Sequence, residues 1–154
     1  MEPRKPGTIA LTVLAYVVTT FAVQGGSHFA VNADHYAAIS IMRPEPIIPM
    51  GLVSMAVQGL LFALLFPSFN RQGSTARNAL VFSWALGAFL ASYIALAEAG
   101  KYAVPSISSW VAVEASVALV QYTVFGILLG LVHRRSAHLG VTGEIGSSSP
   151  SPAP

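Results

Sequence analysis

Four apolar runs dominate the chain, at about 8–24 (TIALTVLAYVVTTFAVQ), 47–67, 78–97 and 110–133. Each is close to the ~20 residues that carry a helix across ~30 Å of hydrocarbon. Polar punctuation bounds them. Arg43-Pro44-Glu45-Pro46 precedes the second run, Pro67 and the stretch NRQGSTAR close it, and Gly100, Pro105 and SISS separate the third from the fourth. Lipid offers no partner to a backbone N–H or C=O, so the runs predict helices rather than open strands. No alternating ten-residue pattern marks a barrel. The expected fold is an all-α integral membrane four-helix bundle over 8–135. Residues 1–7 form a short N-terminus, and the Ser/Pro/Gly-rich 136–154 reads as a disordered tail.

The pattern does not stop at the end of the first run. No proline falls between Gln24 and Arg43, and Gln24, His28, Asn32 and His35 recur at i, i+4, i+8 and i+11, one helical face. Phe29, Ala33, Tyr36 and Ala37 take the opposite face. The first helix is therefore expected to extend into an outer interfacial segment, bending at Gly25-Gly26, with the Tyr36 ring at headgroup level.

Composition turns the pattern into a choice of solvent. Hydrophobic residues make up 54% of the 154 and charged residues 9%, against ~25% charged in soluble domains; lipid suits such a chain better than water. The absence of cysteine removes disulfide scaffolds, thiolate catalysis, Cys-ligated zinc and iron–sulfur clusters. A net charge of +2, scattered, gives no nucleic-acid footprint.

Charge also orients the bundle. Arg4, Lys5, Arg71, Arg77, Arg134 and Arg135 fall on one side of four crossings, and only Arg43 and Lys101 on the other. By the positive-inside rule both termini are cytoplasmic, in the cell inner membrane. Asp34, Glu45, Glu98 and Glu114 lie toward the opposite, outer side. A cleavable signal peptide ending at Val31-Asn32-Ala33 is the rival reading of the first run. The gap between that site and the apolar core is longer than signal peptides carry, so the span is expected to be retained.

Candidate chemistry gathers at the outer mouth. Glu114 sits one turn inside Trp110 in an otherwise apolar helix. An ionisable group there costs free energy unless it is paired or neutralised, which makes it a functional hypothesis. Arg43, Lys101, His28 and His35 are its expected partners. His28, Asn32, His35, Arg43, Glu98 and Glu114 form the candidate ligand-binding set. His28, His35, Glu98 and Glu114 could instead hold a divalent metal, since mixed His/carboxylate donors suit iron, manganese or zinc. Against that stands the seven-residue spacing of the two histidines, ~10 Å along a helix axis. Glu98 and Lys101 read as a surface i, i+3 pair, and the stiff Pro44–Pro49 stretch as one wall of a binding mouth. Deeper in the bundle, Gln58, Gly87, Gln121, Gly126 and Gly130 read as helix-packing positions, small residues for close approach and amides for hydrogen bonds across helices.

His28, Tyr36, Arg43-Pro44, Pro49-Met50-Gly51, Gly87, Tyr102 with Pro105, Trp110, and Gly126 with Gly130 together resemble a loose group of small, uncharacterised bacterial four-span integral membrane proteins. The likeness spans most of 8–133 and implies topology without an activity. The leading expectation is a non-enzymatic structural, accessory or small-ligand-binding membrane component with no cofactor. Its partners are the lipid bilayer and either a second copy or another membrane protein. Two alternatives remain open: a proton or small-cation transporter or channel subunit using Glu114, oligomerised through Gly126 and Gly130, and a His/carboxylate metal-dependent membrane enzyme. The discriminating features are a polar track through Gln121 and Gln58 for the transporter, and an apolar plug at Phe62, Phe125 and Leu128 for the accessory role.

Overall fold

A computed structural model describes residues 5–39, 43, 45–70 and 74–145, the last eleven of these by backbone only. Helix α1 (Pro6–Gly26) opens on a proline at its first position, where the missing N–H would have had no partner within the helix. The chain then widens into a π-helical turn, Ser27–Val31. It breaks at Asn32 (φ −119°, ψ 25°) and re-forms as the short α2 (Ala33–Ala37). Helix α3 (Ile48–Phe69) has a proline in its first turn and Pro67 near its end. Helix α4 (Thr75–Ser92) passes into a second π-helical stretch, Tyr93–Glu98, and the single turn α5 (Ala99–Lys101). Helix α6 runs from Ile107 to Ile145.

Among the described residues the regular structure is all helix, without strands, and four helices are long and apolar enough to cross a membrane: Pro6–Val31, Ile48–Phe69, Thr75–Lys101 and Ile107–Arg134. Large apolar side chains such as Leu14, Val53, Phe89 and Leu119 point outward from all four, as lipid requires and water would penalise. The architecture is that of a multi-pass membrane protein. The expected tail differs in one respect: α6 stays helical to Ile145. Its extension SAHLGVTGEI has no proline, and adding a residue to an existing helix carries no nucleation cost. Residues 146–154 lie outside the described residues.

Helix α6 is central, with α1 and α4 against it and α3 packed along α1. The predicted packing positions set these distances. A Cβ on Gly126 would lie 3.1 Å from Leu80 and Ser83, and one on Gly130 would lie 3.3 Å from the Ala76 Cα. Both glycines are thus used within the chain, against α4, and not on an outward face for oligomerisation. Gly87 takes the face of Tyr122. At the end bearing the termini and the α3–α4 hairpin (the near end), Phe62, Phe66, Phe82, Phe125 and Leu129 close the bundle. The Phe62 and Phe125 rings meet edge to face at 4.8 Å. This is the expected plug with Leu129 in place of Leu128, which is only half-buried. A smaller core of Tyr36, Ile39, Ala99 and Trp110 closes the opposite, far end.

Candidate functional site at the far end of the bundle

Both π-helical turns lie toward the far end, one after α1 and one after α4, and each re-aims side chains. A π turn holds an extra residue within its hydrogen-bonded ring, so every residue beyond it is rotated relative to a continuous α-helix. The predicted single face of Gln24, His28, Asn32 and His35 is accordingly split. Gln24 Nε2 donates to Gln121 Oε1 (2.7 Å). The His28 ring stacks on Tyr36 (3.7 Å between centroids, 12° between planes). Asn32 Nδ2 donates back to Ser27 Oγ (2.9 Å), and His35 stacks on Trp110 (5.8 Å).

Tyr36 is the largest departure from the sequence reading. It was expected at headgroup level facing away from the histidines, but it is turned inward and only 5% exposed. Its hydroxyl donates to Glu114 Oε1 at 2.7 Å. Glu114, also 5% exposed, is therefore met by a phenol and not by Arg43, Lys101, His28 or His35. Burial, and then the bonded carboxylate, push the Tyr36 phenol well above its usual range, so it remains a donor throughout neutral pH. Trp110 seals the pair from the far side, donating Nε1–H to Ile94 O in the second π turn (3.1 Å).

The remaining candidates are dispersed. Lys101 Nζ donates to Tyr93 OH (2.8 Å) and sits over that ring, so its close contact is an aromatic hydroxyl and not the expected Glu98. Glu98 is half-buried at the end of the second π turn. Arg43 is exposed in the α2–α3 connection, and its neighbour Pro44 lies outside the described residues. Among the described residues no three His, Asp or Glu side chains gather closely enough to hold a metal ion. The expected metal set of His28, His35, Glu98 and Glu114 is thus not assembled. His28 stacks on Tyr36, His35 stacks on Trp110 and meets Tyr36 edge to face at 5.4 Å, and the Tyr36 hydroxyl takes Glu114.

Below this layer a chain of polar side chains descends to mid-bundle. Gln121 Nε2 donates to Thr20 Oγ1 (2.9 Å), one helical turn along α1 from Tyr16. Tyr16 OH donates to the Gln58 carbonyl oxygen (2.6 Å), so Tyr122, whose hydroxyl is 3.2 Å from that of Tyr16, is the donor of that pair. Gln58 Nε2 reaches Ser54 Oγ (3.2 Å). Sequence reading found the two glutamines but missed Tyr16, Thr20 and Tyr122. The available signal was a tyrosine in the middle of an apolar span, whose hydroxyl must find a partner when buried.

Beside the polar chain, a groove of about 260 Å³ opens between the far halves of α1 and α3. Phe21, Phe29, Ile47, Ile48, Leu52 and Met55 give it apolar walls, and Gln24 and His28 also line it. Pro46 and Ile48, from the stiff stretch singled out in the sequence, close one side. The His28 ring is fixed there: Nδ1 is 2.9 Å from Gln24 O, and the ring face rests on Tyr36. Comparison with protein-family models, with curated proteins and with solved structures finds no match, so the functional reading rests on this geometry.

Proposed function

We propose that the protein is a multi-pass membrane component that holds a small, apolar-bodied ligand at the far mouth of its bundle. In this reading it acts by binding, not by catalysis. The observation that carries the proposal is the α1–α3 groove, an apolar trough with two polar side chains set against it, the usual composition of a small-molecule site. The Glu114–Tyr36 pair and the amide chain then serve to fix the groove wall, since His28 stacks on Tyr36 and Gln24 is held by Gln121. With the basic residues distributed as they are, the mouth faces outward from the cytoplasmic membrane and both termini face the cytoplasm.

A transporter using Glu114 draws less support from the same atoms. The polar chain runs through the amides of Gln24, Gln121 and Gln58, and a neutral carboxamide donates and accepts hydrogen bonds without exchanging its protons as an acid or base would. Toward the near end it gives way to Phe62, Phe125 and Leu129.

Gly51 lines the groove, and a Cβ there would meet nothing within 4 Å. Gly51→Leu should therefore fill the groove without disturbing the bundle. Protein purified in mild detergent, extracted with organic solvent and analysed by mass spectrometry should yield a small apolar compound in near-stoichiometric amount from the wild type. Gly51→Leu should yield less than about a tenth of it. Equal recovery from both proteins, or empty extracts from both, would contradict the reading.

A further inference from the structure

Helix α3 packs along α1, while α4 packs on α6, and one side of α3 is left uncovered. That side carries a regular seam. Ser54, Gln58, Leu61, Leu65 and Ser68 follow one another at spacings of 4, 3, 4 and 3, the repeat that keeps a stripe turned toward a parallel neighbouring helix. Gln58 is half-buried and the other four are exposed. A purely apolar stripe would need nothing beyond lipid, but this one is polar at mid-span. Gln58 is the eleventh of the 22 residues of α3, ~15 Å from either end. Its side-chain oxygen accepts from Tyr16 OH (2.6 Å), and one Nε2 hydrogen goes to Ser54 Oγ (3.2 Å). A carboxamide has a second N–H, and a serine hydroxyl has its own proton and another lone pair. These three take no partner among the described residues. Hydrocarbon supplies neither donor nor acceptor, and lipid headgroups stay outside this depth.

We infer that this seam is an interface with a second copy of the chain, α3 against α3 about a two-fold axis along the membrane normal. Copies inserted in the same direction bring Ser54 and Gln58 to the same depth. The open donors of each copy then meet the open Ser54 oxygen of the other, so the set is its own complement, as a two-fold interface requires. The Tyr16 bond holds the Gln58 amide from inside the bundle, which fixes it before the copies meet. Ser54 is small enough for close helix approach and brings a hydroxyl, the pairing favoured between helices in lipid. Leu61 and Leu65 fill the near half of the seam. A different membrane protein would have to match both the depth and the donor pattern; a second copy does so by identity. The seam shares no residue with the groove lining, so the interface is independent of the binding role.

The absence of cysteine allows the face to be mapped in the membrane. Single cysteines replace Leu61 and Leu65 on the seam, and Val53 and Leu60, exposed about a third of a turn round the helix. Native membranes holding the full chain are oxidised with copper phenanthroline and resolved on non-reducing gels. Leu61→Cys and Leu65→Cys should give a band of twice the chain mass, at least fivefold stronger than Val53→Cys or Leu60→Cys. Adding Ser54→Leu, which blocks close approach at an exposed position, should weaken the Leu65→Cys band at least fivefold. Ser54→Ala removes only the hydroxyl. It should raise the dissociation constant of the purified protein about threefold to tenfold in sedimentation equilibrium in detergent, the factor for one hydrogen bond between membrane helices. Equal cross-linking at all four positions, no double-mass band from any, or a seam band indifferent to Ser54→Leu would overturn the interface. A Leu61→Cys band of any other mass would give the face to a different protein and overturn the second copy.

Discussion

Replacing Gly87 with alanine is expected to destabilise the bundle by about 3 kcal/mol, the upper part of the usual range for overpacking. A methyl built on Gly87 would overlap Tyr122 Cγ and Cδ2 and lie 2.9 Å from its Cβ. The obstacle is the root of the tyrosine side chain, not a flexible tip, so relief requires moving α4 away from α6. That movement would strain the bond from Ser83 Oγ to the Tyr122 carbonyl (2.7 Å) and the Tyr122–Tyr16 hydroxyl contact below the site. Unfolding of the purified protein in detergent, followed by tryptophan fluorescence, measures the loss. Gly26→Ala is the control. Nothing lies within 4 Å of its added methyl, and it should be neutral or slightly stabilising, since alanine is the better helix former. If the clash is the cause, Gly87→Ala combined with Tyr122→Ala should be more stable than the two single costs predict, by about 1 kcal/mol or more.

The second large effect concerns the buried carboxyl. Tyr36→Phe should cost about 2–3 kcal/mol, the penalty for stripping a buried polar group of its partner, although the substitution removes one oxygen and leaves the aromatic packing in place. Glu114→Gln retains an acceptor for the same phenol and should cost less than ~1 kcal/mol. Tyr36→Phe combined with Glu114→Met removes both members of the pair and should recover most of the loss. The same unfolding measurement applies to all three variants. Equal costs for Tyr36→Phe and Glu114→Gln would mean that the hydrogen bond contributes little and that Glu114 is satisfied in another way.

The spans were legible because a membrane helix announces itself by length and hydrophobicity alone. The four apolar runs coincide with the four long apolar helices Pro6–Val31, Ile48–Phe69, Thr75–Lys101 and Ile107–Arg134, the first of which continues well past Gln24. Contacts of the packing glycines were legible in type, since a small residue in lipid invites close approach, but their partners were not. Gly126 and Gly130 read equally well as an oligomer face until α4 is seen against them. Gly59, with Val13 Cα 3.1 Å from its absent Cβ, gave no sign of its importance.

The site was harder to read than the fold for one physical reason. Ser27–Val31 looks like ordinary helix in sequence, because the choice between an α and a π turn is made by tertiary contacts and not by composition. Once the π turn forms, helical-wheel arithmetic fails beyond it. Tyr36 moves from the expected outer face to the Glu114 carboxyl, while Asn32 turns back on Ser27. His28 and Glu114 could be chosen as candidates from chemistry alone, since a histidine at a membrane mouth and a carboxyl inside a span are both costly. What they touch depends on a local backbone register that periodicity does not encode.

Two consecutive hairpins must thread the bilayer, with the groove-bearing end on the outside, for the proposed binding role to hold. The chain has no cysteine, so single cysteines report location without background. Ser106 lies exposed in the α5–α6 connection at the far end, and Ser74 lies exposed just before α4 at the near end. In intact cells a membrane-impermeant maleimide should label Ser106→Cys and leave Ser74→Cys unlabelled until the membrane is permeabilised. Labelling of Ser74→Cys in intact cells with Ser106→Cys protected, or labelling of both from one side, would contradict this arrangement.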